Sequence, residues 1–559
     1  MSSPSPPSPL TARALLLGAL VGAGLGVANL VFSLKTGLSV GVALTAVTLA
    51  GALRRTAGVP FSVGEGAATQ SVASAAGYST GSTLASSAAA WVLLSGEPPP
   101  ALALAAWTVL ISVYGCLLAW PLRSTFLERE QLPFPSGAAA AVALRTLWEQ
   151  GQQAVRQARA LFAALFASGA ITLLRDGWRL VPPTFAPFAR AAHWGFGVDL
   201  SLLALGAGAL LGVRLGLSLL LGAVLTFAVL GPLWASRGLL DGDGLGAVAG
   251  FSLWPGVALF AGAALTHFIA ALARLLRPRP SAPARAGPRP LPVRTHLLAT
   301  TLVAGALALL GHVWFSLPWF AALLAVVLAL PAALVSCRVT GETDVTPGGP
   351  LGQLSQLALG PSTGGLAAAN AMGGGLAAGG AASAADLMSD LKTGALLGVD
   401  PRRQLAAQLI GCGVGGALVA PLFVVLVPSA DRLGTGGFPV PAAQVFASTA
   451  RVLVEGASAL PAHALEVAAV ALGLGVVLAA AEAASKWART WLPSPTALGL
   501  SMLLPPSLAI AFTAGALLAF AWARRDKVRA EAFTGPVAAG LIAGESLAGA
   551  GVAIRASLE

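Results

Sequence analysis

Two acidic residues stand in a polar segment, TGETDVTPGGPLGQLSQ at 340–356, that lies between long apolar stretches. The carboxylates of Glu342 and Asp344 are groups that can take up a proton, bind a cation or cap a helix. Gln353 lies in the same segment. A soluble protein would place such a segment in an exposed loop, and helix capping there is the simplest alternative. The apolar flanks indicate a different environment.

Polar side chains also interrupt four other apolar stretches. A charged residue at the centre of a bilayer costs roughly 2.5–3.5 kcal/mol, so charges at that depth favour a role in binding. The segments are NLVFSLKTG with Lys35, GEGAATQSVASAAGYSTGS with Glu65, Gln70 and Tyr78, NAMGGGLAAGGAASAADLMSDLKTG with Asn370, Asp390 and Lys392, and AGESLAGA with Glu545.

Spacing adds two expectations for the segment at 370–394. Asp386 and Asp390 are four residues apart and share one face of a helix. Its glycine runs argue against a straight helix and favour broken helices whose ends face a cavity. Simpler alternatives stay open: close helix packing by small residues, a headgroup pair of Asp390 with Lys392, and an interfacial loop position for Glu65.

The elements that position these residues follow from composition. The chain has 559 residues, of which 56% are hydrophobic and 10% charged, with a mean hydropathy of +0.81. A soluble domain is about 25% charged, so we predict an all-α polytopic integral membrane protein of about 14–16 transmembrane helices. The predicted crossings are 12–33, 38–53, 72–95, 101–121, 158–175, 195–212, 216–235, 247–273, 295–314, 317–337, 403–427, 437–455, 463–484, 498–523 and 533–554, with one or two more in 357–390.

The net charge of +11 is best explained by the positive-inside bias of membrane proteins. Basic stretches at 54–55, 145–159, 274–294 and 524–529 are therefore predicted to be cytoplasmic, and none has the interleaved aromatic residues of a nucleic-acid site.

The three cysteines and five histidines lack the spacing of a metal site. We predict no nucleic-acid partner, no bound metal and no cofactor.

Short motifs recur in the same order along the chain. SLKTG at 33–37 returns as DLKTG at 390–394, and LPFPSG at 132–137 returns as LPSPTA at 492–497. Duplicated halves with a site between them are the usual plan of secondary transporters. The predicted organisation is a disordered tail (1–10), a first transmembrane half (11–273), a basic linker (274–294) and a second transmembrane half (295–559).

The motifs together resemble the oligopeptide transporter superfamily, which includes the yellow-stripe-like branch. The resemblance rests on the GETD segment, DLMSDLKTGALLGVDPRRQ, LPSPTALGLSMLLPPS and GLIAGESLAG, with GEGAATQS and LPFPSG in the first half. It implies about sixteen helices and proton-coupled uptake of short peptides or metal chelates. The excess of Arg over Lys, with abundant Ala and Gly, suggests a bacterial genome and hence the bacterial inner membrane.

The resemblance, together with the polar positions in apolar segments described above, predicts roles for residues of this chain; Tyr78 and Glu545 are selected from their positions alone. In the expected alternating-access mechanism, Lys35 and Lys392 bind a substrate carboxylate, and an acid accepts its amino group or the coupling proton. The substrate-binding set is Lys35, Gln70, Tyr78, Gln353, Asn370, Asp390 and Lys392, and the proton-coupling set is Glu65, Glu342, Asp344 and Glu545.

The main prediction is symport of protons with short oligopeptides, and the alternative is uptake of metal–chelate complexes. The NPG signature of the eukaryotic peptide-transporting clade is not recognised, which leaves the choice open. An intramembrane enzyme is disfavoured because GxSxG and HExxH motifs are missing. A passive channel is disfavoured because only a twofold repeat is found. The sequence is compatible with a homo-oligomer.

Overall fold

A computed structural model describes residues 10–39, 43–56, 62–149, 151–240, 242–275, 292–344, 346–434, 438–456 and 460–558. The predicted tail and most of the predicted basic linker lie outside this part of the chain. Helices account for almost all of it, and the predicted all-α fold is confirmed.

The helices before the linker begin and end as follows: α1 (Ala12–Thr36), α2 (Ala43–Thr56), α3 (Val63–Thr83), α4 (Ala89–Ser95), α5 (Ala101–Arg123), α6 (Pro135–Glu149), α7 (Gly151–Thr172), α8 (Ala189–His193), α9 (Leu202–Leu211), α10 (Val213–Ala223), α11 (Gly231–Ser236) and α12 (Gly244–Leu275). Short π-helical segments continue α3, α5, α7 and α10; they are Leu84–Ala88, Ser124–Arg129, Leu173–Gly177 and Val224–Leu230. Strands β1 (Thr184–Phe185) and β2 (Val198–Asp199) pair antiparallel.

The helices after the linker are α13 (Val293–Phe315), α14 (Trp319–Thr343), α15 (Gly348–Leu359), α16 (Ala367–Leu397), α17 (Pro401–Leu426), α18 (Pro441–Glu455), α19 (Ala464–Ala484), α20 (Lys486–Trp491), α21 (Pro495–Ser501), α22 (Pro506–Arg525) and α23 (Lys527–Leu558). Two 3₁₀ turns, Gly360–Ser362 and Ala430–Arg432, follow α15 and α17.

Eleven helices in the described residues are long and apolar enough to cross a membrane. The chain is therefore a multi-pass integral membrane protein. Two further long helical stretches, α3 with its continuation to Ser95 and α16, are rich in glycine and small polar residues instead. Both are largely buried by neighbouring helices, so they do not need the apolar surface that lipid contact demands.

The glycine-rich segment is not broken, contrary to the prediction. α16 runs without interruption for 31 residues. Its glycines lie against neighbouring helices: a β-carbon at Gly375 would overlap Ser87, and one at Gly379 would lie 2.8 Å from the Ile111 side chain. Each glycine costs a helix about 1 kcal/mol, and the close packing that glycine permits offsets that cost.

Three predicted boundaries also differ from the structure. The helix predicted at 72–95 begins at Val63, because Ser62 and Glu65 form a reciprocal capping box with N–H to side-chain oxygen distances of 2.8 and 3.2 Å. The crossing predicted at 498–523 is divided between α21 and α22, where Pro505 lacks the N–H that a continuous helix needs. Residues 195–201 lie in a turn and β2 rather than in a helix.

Candidate functional site

Three helices bring acidic and amide side chains together inside the protein. α3 contributes Gln70, Ser71 and Ser74, α16 contributes Asp386 and Asp390, and α17 contributes Gln404 and Gln408. In each helix the side chains recur at four-residue spacing, which places them on one face. We call these seven residues the acid–amide cluster: Gln70, Ser71, Ser74, Asp386, Asp390, Gln404 and Gln408.

Asp386 has a donor for each of its carboxylate oxygens. The Ser74 hydroxyl donates to Oδ1 over 2.7 Å, and Gln408 Nε2 donates to Oδ2 over 2.7 Å. Asp386 is also partly accessible, unlike Asp390, which is fully buried. The pair therefore has an accessible and an inaccessible member.

Asp390 receives a donor on only one of its carboxylate oxygens. Gln70 Nε2 donates to Asp390 Oδ1 over 2.5 Å. Gln404 Nε2 is bound to the Asp390 backbone carbonyl and to the Ser71 hydroxyl, the latter over 3.2 Å. Asp390 Oδ2 is buried and accepts no hydrogen bond of good geometry from the described residues, and the Ser71 hydroxyl lies near the carboxyl group.

The cluster as a whole has more hydrogen-bond acceptors than donors. Besides Asp390 Oδ2, the buried Oε1 atoms of Gln70, Gln404 and Gln408 have no hydrogen-bond donor among the described residues. Buried polar atoms are usually satisfied, and each one left without a partner costs about 1–3 kcal/mol. A proton or a ligand carrying N–H or O–H groups would supply what the cluster lacks.

Neither aspartate of the cluster forms an ion pair in the part of the chain that the structure describes. Lys392 is close in sequence, but its ammonium group donates to the Leu132 carbonyl over 2.8 Å. The alternative of an ion pair between Asp390 and Lys392 at the lipid headgroups therefore does not hold. The two carboxyl groups are held by amides and hydroxyls alone.

The GETD segment lies next to this cluster through Tyr78. The Tyr78 side chain lies near Thr346, Asp386 and Asp344. Thr346 in turn contacts the Thr340 hydroxyl over 3.1 Å. The first-half and second-half motifs thus meet around α3 and α16.

Within the GETD segment both acids have structural partners. Asp344, at a left-handed φ of +64°, ends α14 and caps α6, accepting from the Ser136 N–H over 2.9 Å and from its hydroxyl over 2.5 Å. Glu342 pairs with Arg338 over 3.1 Å, and Arg338 also reaches Glu130 over 3.0 Å. The helix-capping alternative thus describes Asp344, and coupling by either acid stays a prediction.

A second buried polar group surrounds Glu545, whose side chain is 0% exposed. Its carboxylate pairs with Lys35 over 3.0 Å and with Arg175 over 3.1 Å. It also accepts from the Ser201 hydroxyl over 3.1 Å and from the Leu203 N–H, in the first turn of α9, over 2.9 Å. We call these residues the Glu545 cluster.

The remaining candidates lie apart from the acid–amide cluster. Glu65 belongs to the capping box of α3 and pairs with Arg13 over 2.8 Å. Asn370 exchanges hydrogen bonds with Gln356, and Gln353 contacts the Thr449 hydroxyl over 3.5 Å. Their predicted roles in binding and coupling stay predictions.

Of the seven cluster members, only Gln70 and Asp390 are in the predicted sets of site residues, and Ser71 and Ser74 appear only within a quoted polar segment. Asp386 was noted only as the helical neighbour of Asp390, and Gln404 and Gln408 were not singled out. The signal was present: two glutamines four residues apart directly follow the PRR motif at the start of α17. Polar side chains at that spacing on an apolar helix mark a buried polar contact.

The sequence matches the family described as OPT oligopeptide transporter protein over residues 9–277 and 289–555. The chain belongs to this family. The OPT resemblance is thereby confirmed, and transport rather than enzymatic catalysis is the activity of the family.

This OPT protein is similar to transporters from plants. One is the probable metal-nicotianamine transporter YSL9 of Oryza sativa subsp. japonica, 29% identical over 483 residues that cover 78% of this chain and 69% of the relative. Another is the metal-nicotianamine transporter YSL1 of Arabidopsis thaliana, 28% identical over 494 residues that cover 79% and 72% of the two chains. Bacterial origin and the inner membrane stay predictions.

Proposed function

We propose that this OPT protein is a secondary active transporter that moves metal–chelate complexes together with protons by alternating access. The acid–amide cluster is the observation that carries the proposal. It holds two acids that form no ion pair with any cation among the described residues, and it joins α3 of the first predicted half to α16 and α17 of the second. Such a cluster can gain or lose a proton. Because its hydrogen bonds run between the two predicted halves, its protonation state depends on how the halves lie relative to each other.

Protonation suits the hydrogen-bond balance of the cluster. Burying an unpaired charge is costly, which favours one carboxyl group in the neutral form. The proton would also make Asp390 a donor in a cluster whose Oε1 atoms lack donors. Deprotonation on the opposite side of the membrane would restore the excess of acceptors and reset the cycle. Movement of one charge through 100 mV supplies about 2.3 kcal/mol.

The substrate class is inferred from the relatives. Their names describe metal-nicotianamine transporters, which supports the metal–chelate alternative over the peptide prediction. The acceptor-rich amides and the Tyr78 hydroxyl are the groups that would bind the polar surface of such a complex. Short peptides are the comparison substrate in the test.

The test uses purified protein in liposomes that contain a pH-sensitive dye. Ferric nicotianamine, metal-free nicotianamine and a tripeptide are added separately, with and without an inward proton gradient. We expect interior acidification and accumulation of iron with the ferric complex alone. The Asp390→Asn variant should lose acidification, whereas Asp344→Asn, which changes a helix cap outside the acid–amide cluster, should retain it.

Two outcomes would overturn the proposal. Acidification with the tripeptide and none with either form of nicotianamine would restore the peptide prediction. Iron uptake that is indifferent to the proton gradient and to Asp390→Asn would exclude proton coupling at the acid–amide cluster.

A further inference from the structure

Two of the three cysteines lie side by side below the acid–amide cluster. Cys116 on α5 and Cys412 on α17 are both fully buried, and their sulfur atoms are 3.9 Å apart. They are 296 residues apart in the chain and belong to the two predicted halves. From the sequence they were excluded only as part of a metal site, and nothing in the proposed transport cycle uses them.

The helices that carry the thiols are packed closely on both sides of the pair. One turn beyond Cys412, a β-carbon at Gly416 would overlap Val109 of α5. Gly411 contacts the backbone of α3 at Val72, and Gly115 contacts the backbone of α16 at Gly380. The two thiols therefore lie where α3, α5, α16 and α17 all meet, and the small residues around them allow these helices to pack closely. The sulfur atoms, now 3.9 Å apart, would have to approach to about 2.05 Å for a covalent bridge.

The pair is connected to the acid–amide cluster through α17. Cys412 is one helical turn beyond Gln408, whose amide donates to Asp386. Cys116 is close enough to Asp386 and Asp390 to interact with their charges. A change in the separation of α5 and α17 would thus act directly on the groups proposed to bind the proton.

We propose that Cys116 and Cys412 form a disulfide under oxidising conditions and that this bond locks α5 to α17 and stops transport. With hydrogen peroxide, one thiol loses its proton and the thiolate attacks one oxygen of the peroxide; the O–O bond breaks, a sulfenic acid is formed, and the departing hydroxide takes up the proton to give water. The second thiol then displaces the hydroxyl group as water, and the S–S bond closes to about 2.05 Å. Two electrons pass from the two sulfurs to one peroxide molecule. A dithiol reductant reverses the reaction by thiol–disulfide exchange.

Alternating access supplies the route for the oxidant. Both sulfurs are buried in the conformation described here, so peroxide reaches them when the helices around the cluster separate. The rate of oxidation should therefore rise when the protein turns over substrate. This part of the inference, and the transport readout, rest on the proposed function; formation of the bond does not.

The first experiment counts thiols. Protein treated with peroxide is denatured and labelled with a maleimide polymer that shifts its mobility on a gel. We expect the wild type to fall from three reactive thiols to one, and Cys337→Ala, the matched control, from two to none. All samples are treated with arsenite before labelling, which returns a sulfenic acid to the thiol and leaves a disulfide intact, so Cys412→Ala should keep both of its remaining thiols. Three reactive thiols in oxidised wild type, or loss of thiols in Cys412→Ala, would overturn the proposal.

The second experiment tests the lock. Peroxide should lower the initial rate of uptake at least tenfold in wild type and Cys337→Ala, with recovery after reduction, and should leave Cys116→Ala and Cys412→Ala unchanged. Undiminished transport by protein with a single reactive thiol would refute the lock.

A readout independent of transport is the Tm in detergent, which the bond should raise in wild type but not in Cys412→Ala. An unchanged Tm in the bridged protein would also refute it.

Discussion

Two groups of buried carboxylates in this OPT protein have opposite surroundings. Glu545 has two cations, a hydroxyl and a helix N-terminus around one carboxylate. Asp386 and Asp390 have amides and hydroxyls, and one carboxylate oxygen of Asp390 has no donor in the described part of the chain. Both groups join a helix of the first predicted half to one of the second.

The difference in partners indicates that Glu545 carries a structural charge, whereas Asp390 is suited to change its protonation state. Neutralising Glu545 would leave Lys35 and Arg175 without their shared counter-ion, so its charge is held in place. Neutralising Asp390 removes an unpaired buried charge and adds a donor, so its protonation costs the structure little. The same residue type at membrane depth therefore implies different roles according to its partners.

The largest expected effect comes from removing the charge of the Glu545 cluster. Glu545→Gln should destabilise the protein by about 3–5 kcal/mol, because it leaves buried cations uncompensated. Thermal unfolding in detergent measures this, with the exposed Glu466→Gln as the matched control. In a double-mutant cycle, Lys35→Met should recover part of the loss. A Glu545→Gln protein as stable as the control would show that the charge of Glu545 has no structural role.

The next effect tests the acid–amide cluster as the proton site. Asp390→Asn should fold normally, because an amide replaces a carboxyl group of the same size, and should lower proton-driven accumulation at least tenfold. Exchange of substrate across the membrane should be spared. Normal accumulation by Asp390→Asn together with a defect in Asp344→Asn would move the coupling site to the GETD segment, as the sequence predicted.

A smaller effect is expected from the donors of the cluster. Gln408→Ala removes one of the hydrogen bonds to Asp386, and a bond to a charged group contributes about 1.5–3 kcal/mol. We expect about a tenfold loss of kcat/KM for uptake and a shifted pH profile. Gln444→Ala, on α18 and outside the cluster, should change neither, because its amide donates to the Pro439 carbonyl instead. A pH profile unmoved by Gln408→Ala would mean that Gln408 has only a packing role.

The smallest effect concerns the cap of α6. Asp344→Ala should lower the free energy of unfolding by about 1 kcal/mol, typical of a lost N-cap, with coupling intact. Ser136→Ala, which keeps the N–H but loses the hydroxyl donor, should cost less. Thermal unfolding and dye acidification of the same samples separate stability from coupling. Loss of acidification in a stable Asp344→Ala protein would assign Asp344 to the transport cycle.

Local and compositional signals were sufficient for the membrane class and most helix positions. Low charge and apolar runs of about 20 residues require helices that cross a bilayer, whatever their neighbours. Most predicted crossings correspond to helices of the structure. The capping box at Ser62 and Glu65 could also be predicted from the sequence, since both partners lie within one turn. The OPT resemblance followed from contiguous motifs for the same reason.

Only the tertiary structure decided which polar groups meet. Lys35 and Glu545 are 510 residues apart, and Gln70 and Asp390 are 320 apart. Helical periodicity assigns a side chain to a face but does not identify the helix that the face contacts. The uninterrupted helix α16 could not be predicted from the sequence for a related reason. Glycine disfavours an isolated helix, and only close packing by neighbouring helices reverses that preference. The charge state of a buried acid depends on those neighbours, which local sequence does not specify.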